Sequence, residues 1–327
     1  TRKEERDVLT ELLSAVDVTF YEEKLNSETA NLALDADIVS VFINSEISKE
    51  IIDLLPNLKF VSTRSTGFDH IDINELKNKN IIVSNVPSYG SHTVAEFAFA
   101  LILDLSRKVS NANRQVREES NFDTSGFKGF DLFGKTLGVI GTGKIGKNIV
   151  KIAKGFGMKV IAFDAYPDDH FATENNFQYF PLNEVLANSD IVTLHTPYNK
   201  DTHHLINEEN IKLFKNGSYL INTARGEILD TEALLFGLRE GIIAGAGLDV
   251  LEDERKLKEE AEFIANGRAN MNDFKILLED HMLIDMPNVI VTPHIAFDSS
   301  EAEIEILKTT VENILAFNSG VPQNIVK

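Results

Sequence analysis

The sequence predicts an α/β protein of two domains, each built on a parallel sheet, and three observations predict it. Short apolar, β-branched runs alternate with helical stretches along the whole chain, the order that open parallel sheets require. A strand, a glycine-rich turn, a helix and a second strand ending in an acid follow one another without a break from Thr136 to Asp164. The length of 327 residues exceeds ordinary single-domain size and leaves enough chain for two cores.

The elements follow in order. The chain opens directly in a helical stretch, TRKEERDVLTELL, where an α/β unit ordinarily starts with a strand, so a strand is expected to be missing ahead of it. Residues 37–43 (DIVSVFI), 59–63 (KFVST) and 81–84 (IIVS) read as buried strands of a first, smaller unit, separated by helical stretches at 50–55 and 73–78. A long helix over about 92–109 is apolar all round, the pattern of a helix buried between domains. A second unit takes its first strand at 136 and continues through 190–197 (DIVTLHTP), 217–224 (GSYLINTA), 244–250 (AGAGLDV) and 289–294 (VIVTPH). The last helix, about 300–317, is expected to return to the first unit. The predicted domains are therefore a discontinuous one, 1–91 with 296–327, and a continuous one, 92–295.

The stretch TLGVIGTGKIGKNIVKIAKGFGMKVIAFD carries the first chemistry. Gly141 allows the tight turn, Gly143 lets the backbone approach a pyrophosphate, and Gly146 lets helix and strand come close. Free N–H groups at the helix start face the anion. Asp164 ends the second strand about 20 residues beyond the glycines, where a carboxylate takes the ribose hydroxyls. The following AYPDD has no Arg to welcome a 2′-phosphate. This is a Rossmann-type dinucleotide site that favours NAD over NADP.

Composition narrows the partners. Apolar content of 43% and charged content of 25% are ordinary for a globular protein. A formal net charge of −19 argues against nucleic acid or an anionic membrane, since a phosphate backbone needs a basic face. The absence of cysteine removes disulfides, thiolate catalysis and thiolate metal sites together. No signal-peptide core is evident at the N-terminus, and the apolar segment AEFAFALILDL is too short to span a bilayer. A cytoplasmic protein is expected.

Four charged or titratable residues stand at strand ends: Arg225 in INTARGEILD, Asp249 and Glu254 in GLDVLEDE, and His294 in VTPHIAF. Singly each has an ordinary structural reading. Together they match the needs of 2-oxo acid reduction: a guanidinium fork for the carboxylate, a proton donor for the carbonyl oxygen, and a carboxylate that keeps the donor charged. Among the other histidines, His195 is expected to shape the cofactor wall. His203 and His204 are expected in an extended segment with diverging side chains, which disfavours a metal there. His70, His92 and His281 read as structural or surface residues, and no metal is invoked.

With RSTGFDHID (64–72), NVPSYGSHTVAEFAFALIL (85–103), GTGKIG, LHTP, NTARGEILD, GLDVLEDE and TPHIAF in order, the chain resembles the D-2-hydroxyacid dehydrogenase family over nearly its whole length. The resemblance implies two Rossmann-like or flavodoxin-like domains with a catalytic cleft between them, NAD as cofactor, and Arg225, Glu254 and His294 as the catalytic three. It further implies that Asp249 bonds the nicotinamide carboxamide and that Lys144 and Ile145 lend N–H groups to the pyrophosphate. Thr196, Pro197, Thr202, Thr223, Ala224 and Arg225 would line the cofactor. Thr66 and Gly67 would take the substrate carboxylate through their backbone, with Phe42 and Tyr89 beside the substrate.

Within the family the D-lactate dehydrogenase branch is the nearer likeness, through RSTGFDHID, Tyr89, and the 39 residues between Glu254 and His294. These contain MNDFKILLEDHMLI, an amphipathic pattern that reads as an extra helix. Phe42 stands where that branch often carries Tyr, which makes the pocket more apolar. Pyruvate is the expected substrate. Bulkier or other 2-oxo acids (phenylpyruvate, 2-oxoisocaproate, hydroxypyruvate) are the alternative, as is an NAD-sensing binding module without catalysis. Glu254 disfavours a formate dehydrogenase, which carries Gln there, and a short phosphoglycerate dehydrogenase stays among the alternatives. The family is typically dimeric, and a homodimer with the 92–109 helix at its interface is expected.

Overall fold

The computed structural model describes residues 3–254, 257 and 271–326. Along the described chain run α1 (Lys3–Leu12), β1 (Ile38–Val41), α2 (Lys49–Leu54), β2 (Phe60–Thr63), α3 (Ile73–Asn78) and β3 (Ile82–Ser84). Next come α4 (Ser91–Arg107), α5 (Val109–Glu119), β4 (Thr136–Ile140), α6 (Lys144–Gly155), β5 (Lys159–Phe163), α7 (Asp169–Glu174), β6 (Gln178–Tyr179) and α8 (Leu182–Asn188). Then follow β7 (Ile191–Leu194), β8 (Ser218–Asn222), α9 (Thr231–Arg239), β9 (Ile243–Leu248), α10 (Met271–Asp285), β10 (Val289–Val291) and α11 (Ser300–Asn318). The chain divides into two compact units, Thr1–Tyr89 with Asp298–Lys327, and Gly90–Phe297.

In the first unit β1, β2 and β3 lie side by side in a parallel sheet. Successive side chains of a strand point to opposite faces, and β2 uses both. Val61 enters a core with Ile51, Ile52 and Leu76 from α2 and α3. Phe60 enters the opposite core with Leu9 of α1, Leu13 just after it, and Leu307, Val311 and Ile314 of α11, and its ring stacks on Phe317 at 4.4 Å. A strand covered on both faces is buried at every position, and β2 buries Ser62 and Thr63 as well as Phe60 and Val61.

The second unit holds a seven-stranded sheet in the order β10-β9-β8-β7-β4-β5-β6, parallel throughout. From β4 the chain steps outward to β5 and β6, then crosses back to β7 and continues through β8, β9 and β10. The switch between β4 and β7 opens a crevice at the strands' carboxyl ends, where ligands collect in such sheets. Leu137 and Val139 face a core with Ala95, Ala98, Ile149 and Val150 of α4 and α6. Ile140 faces the other core, with Val185, Leu186 and Leu234 of α8 and α9.

The long helix differs from the one expected over 92–109. It ends at Arg107 because Lys108 turns left-handed (φ 54°), donating its N–H to the Asp104 carbonyl while the Asp104 carboxylate accepts from the Ser110 amide. A separate helix, α5, starts at Val109 and buries no residue. The apolar positions of α4 face α6 and the sheet of its own unit. No helix among the described residues is long and apolar enough to cross a membrane.

Candidate active site and cofactor wall

The glycine loop leaves β4 at Gly141, whose φ of +92° only glycine adopts freely. Its amide donates to the Phe163 carbonyl at 2.8 Å, locking the loop to β5. A Cβ on Gly146 would lie 2.0 Å from the Gly141 carbonyl oxygen, so helix and loop meet backbone to backbone. A Cβ on Gly143 would meet nothing within 4 Å, which leaves clear space in front of the α6 N-terminus. The amides of Lys144 and Ile145 lie in the first turn of α6, where helix geometry gives N–H groups no intrahelical acceptor. An anionic pyrophosphate fits this cradle.

Asp164 follows β5 and is fixed before any ligand arrives. One of its oxygens accepts from the Thr142 amide (2.6 Å) and hydroxyl (2.9 Å), and the other from the Tyr166 amide (2.8 Å). A carboxylate has about four acceptor positions, so capacity for a ribose diol is left.

The carboxyl ends of β7 and β8 form the facing wall. His195 is buried and its Nε2 lies 2.8 Å from the Thr193 hydroxyl. Burial pushes its pKa down to about 3, so the ring is neutral. His195 Nδ1, Thr196 Oγ1 and Thr223 Oγ1 are buried polar atoms without a hydrogen-bond partner. Native interiors rarely leave such groups unpaired, and these three fit a polar cofactor that completes them. The Thr202 hydroxyl donates to the Pro197 carbonyl (2.7 Å) and accepts from the Asn199 amide (2.8 Å), closing the 197–202 turn.

Arg225 follows β8. Buried Asn222 shapes the approach to it, its amide group donating to the Arg225 carbonyl (2.8 Å) and accepting from the Ala224 amide (3.0 Å). Asn222 was not singled out in the sequence, although an Asn at the strand end just before Arg-Gly was the available signal. Asp249 follows β9 and is buried. It accepts from the Thr292 hydroxyl (2.6 Å) and the Ile295 amide (3.0 Å) on one oxygen and from the Ala296 amide (2.8 Å) on the other. It therefore clamps the segment that carries His294, and burial pushes its carboxyl pKa up.

His294 sits in that clamped segment with a left-handed backbone (φ 57°), and its Nδ1 lies 2.7 Å from Glu254 Oε1. With Nδ1 engaged by the carboxylate, Nε2 is the position from which the ring exchanges a proton. The structure thus gathers Arg225, Asp249, Glu254 and His294 at the carboxyl ends of neighbouring strands β8, β9 and β10.

Residues 99–296 match the family model described as "D-isomer specific 2-hydroxyacid dehydrogenase, NAD binding domain". The chain belongs to that family. A 2-hydroxyacid dehydrogenase homolog of Zymomonas mobilis is 38% identical over 307 residues, covering 93% of this chain and 90% of the relative. A glyoxylate reductase of Korarchaeum cryptofilum is 35% identical over 296 residues, covering 89% of this chain and 83% of the relative. The crystal structure of D-lactate dehydrogenase from Aquifex aeolicus complexed with NAD and lactic acid superposes with a TM-score of 0.87 at 37% identity, covering 98% of this chain and 94% of that one.

This dehydrogenase is accordingly an NAD-dependent oxidoreductase acting on CH–OH donors. The expected substrate residues lie in its first unit. The Thr66–Gly67 turn is held by the Thr66 hydroxyl on the Val86 carbonyl (2.7 Å), Asn85 on the Thr66 carbonyl (2.8 Å) and Ser65 on the Gly67 carbonyl (2.6 Å). Phe42 and Tyr89 are half-buried, with the Arg64 guanidinium 6.0 Å from the Phe42 ring. One expectation is corrected: the His203 and His204 rings do not diverge but stack at 4.0 Å. The segment is a turn closed by Asn199 and Thr202, and His204 adopts a left-handed backbone (φ 47°), which brings neighbouring side chains to one side. Among the described residues no group of His, Asp and Glu side chains could hold a metal.

Proposed function

We propose that this dehydrogenase reduces pyruvate to D-lactate, with Arg225 holding the substrate carboxylate and His294 as the acid/base. The observation that carries the chemistry is the 2.7 Å His294–Glu254 pair, at the same edge of the sheet, the carboxyl ends of its strands, as Arg225. NADH, when bound, supplies the hydride. Arg225 offers a planar fork matched to a carboxylate. His294 delivers the proton from Nε2 to the carbonyl oxygen as negative charge develops there, and takes it back in the oxidative direction. Glu254 orients the ring through Nδ1. A role for the Thr66 and Gly67 amides, Phe42 and Tyr89 in holding the acid belongs to the same proposal, as do contacts of Asp249 with the nicotinamide carboxamide and of Pro197, Thr202 and Ala224 with the cofactor.

Pyruvate is supported by the likeness to the Aquifex enzyme, whose complex holds lactic acid. Phe42 supports the second reading, a bulkier 2-oxo acid. The deciding experiment follows NADH oxidation with pyruvate, glyoxylate, phenylpyruvate, 2-oxoisocaproate and hydroxypyruvate. Highest kcat/KM with pyruvate is expected. A higher value with a bulkier acid rejects the pyruvate assignment, and NADH binding without turnover on any acid rejects catalysis in favour of an NAD sensor.

The proposal extends to a homodimer. An open depression on α4 and α6, about 430 Å³, is lined by Ala100, Leu103 and Ile152 together with His92, Glu96 and Lys151, on the unit that also exposes Phe122 (81%) and Phe133 (80%). Exposed apolar side chains rimmed by polar ones suit association, and sedimentation equilibrium reads the mass. A cytoplasmic location, where NADH is available, completes the proposal and is read by fractionation.

A further inference from the structure

Glu254 reaches His294 from residues 251–254, which follow β9, and a neighbour in that segment has a carboxylate that faces elsewhere. Glu252 lies two residues before Glu254. One of its oxygens is 2.9 Å from His204 Nε2, and the other accepts the Thr231 hydroxyl at 3.0 Å. Its side chain is only 15% exposed, and Thr231, the first residue of α9, is buried. A carboxylate so enclosed is costly to leave without its hydrogen-bond partners, so removing one side of this tie is unfavourable.

Each partner belongs to a part of the site. His204 closes the segment that begins at Thr196 on the cofactor wall. Its ring stacks on His203, whose ring meets Tyr198 edge-on at 6.0 Å, and its amide donates to the Glu227 carbonyl at 2.9 Å. Glu227 lies in the short turn Gly226–Ile228 that follows Arg225. That turn abuts the segment directly, since a Cβ on Gly226 would fall 2.0 Å from the Leu251 carbonyl oxygen. Immediately after Glu252 the chain reverses at Asp253 (φ 52°) to deliver Glu254. The carboxylate of Glu252 is thus the polar tie at the point where the cofactor-wall segment, the Arg225 turn and the Glu254 segment meet.

We propose that Glu252 is a positioning residue that, shared between His204 and Thr231, fixes residues 251–254 so that Glu254 is held on His294, and couples that alignment to the segment lining the cofactor. This inference rests on the assignment of His294 and Glu254 as the acid/base pair. Glu252 touches neither substrate nor cofactor and acts only through its neighbours. Losing it lets Glu254 drift, so the proton-transfer step suffers while the carboxylate grip of Arg225 stays. A misplacement of about 1 Å at a reacting centre lowers rates by up to about a hundredfold.

The test compares the wild-type holoenzyme with Glu252→Ala, Glu252→Gln and Thr231→Val, checking each fold by circular dichroism. Glu252→Ala should lower kcat at least about tenfold while changing KM for the 2-oxo acid less than about twofold. Its pH profile should move in the sense seen for Glu254→Gln. Glu252→Gln, whose amide still bonds both partners, should recover most of the rate, and Thr231→Val should give an intermediate loss. Should Glu252→Ala not fold, the Gln and Val variants carry the same ranking. An Ala variant with wild-type kcat and pH profile overturns the proposal, as does a loss confined to KM. The titration of His294, followed by NMR with 15N-labelled histidine, reads the pair without turnover. If wild-type oxidises no NADH with any acid, the functional reading fails, yet a displaced His294 titration in Glu252→Ala still supports positioning and an unmoved one overturns it.

Discussion

Asp280 sets a pH dependence of stability that the structure makes quantitative. It lies on α10, fully buried, and neither carboxylate oxygen has a hydrogen-bond partner. Burial first, then the surrounding Glu252, Asp253, Glu279 and Glu254, push its pKa from an ordinary 3.8 up to about 7. The folded state therefore holds the proton more tightly than the unfolded one. No penalty exists below the unfolded value; it grows as pH rises through the interval between the two values and levels off above about 7. At 1.36 kcal/mol per pH unit the interval corresponds to about 4 kcal/mol. Asp280→Asn keeps the shape but cannot ionise. Relative to wild-type, the variant should gain about 4 kcal/mol in stability between about pH 4 and about pH 8. Urea unfolding by circular dichroism suits a chain without Trp, with wild-type and variant compared at each pH because a two-unit chain need not unfold in one step. A stability difference that stays constant across this range refutes the reasoning.

Four further outcomes follow from the same geometry. His294→Ala should lower kcat about a hundred- to ten-thousandfold while the NADH dissociation constant, from fluorescence titration, stays within about twofold; a lost NADH affinity would move His294 into the cofactor site. Glu254→Gln should shift the kcat/KM profile of oxo-acid reduction toward lower pH, because the imidazolium loses its counter-charge, and a superimposable profile rejects the pairing. Gly146→Ala would press a Cβ to 2.0 Å from the Gly141 carbonyl oxygen, so NADH affinity should fall at least about tenfold, at about 1.4 kcal/mol, and calorimetry of NADH binding checks it. Asp164→Ala removes the two hydrogen bonds that fix Thr142 of the glycine loop, the one from the Tyr166 amide, and the acceptor for the ribose. The ratio of kcat/KM for NADH over NADPH should drop by about tenfold or more, and an unchanged ratio would assign cofactor preference elsewhere.

The strands were legible because a parallel sheet covered on both faces yields short, mainly apolar or β-branched runs, DIVTLHTP and GSYLINTA among them, and the glycine loop because its three glycines fall between a strand and a helix. MNDFKILLEDHMLI was likewise legible as the helix that forms α10. Helix α5 was not, since VSNANRQVREE has no apolar stripe and buries no residue. The starts of α7 and α9 carry a usable signal, since Asp168 and Asp230 each accept hydrogen bonds from first-turn amides and an Asp ahead of a helical stretch marks such a cap. Residue types at the site were readable one strand end at a time. What holds them was not: the Asp249 clamp on Thr292, Ile295 and Ala296 and the Glu252 tie to His204 join residues more than forty positions apart, and no local period marks such a pairing. Asp280 was invisible for the same reason, because nothing in a helical pattern distinguishes an enclosed acid from a solvated one.

The order of the seven-stranded sheet separates two inheritable properties. Asp164 hangs from β5, on one flank of β4, whereas Arg225, Asp249 and His294 hang from β8, β9 and β10 on the other. Only the glycine loop on β4 borders both flanks. Substitutions around the β5 terminus can therefore retune the ribose contact without touching the residues on β8, β9 and β10, and changes at the β10 terminus can alter the surroundings of His294 while the glycine loop and Asp164 stay. A lineage, or an engineer, can drift along one flank at a time, and the segment from Gly141 to Gly146 is the stretch where the two histories must remain compatible.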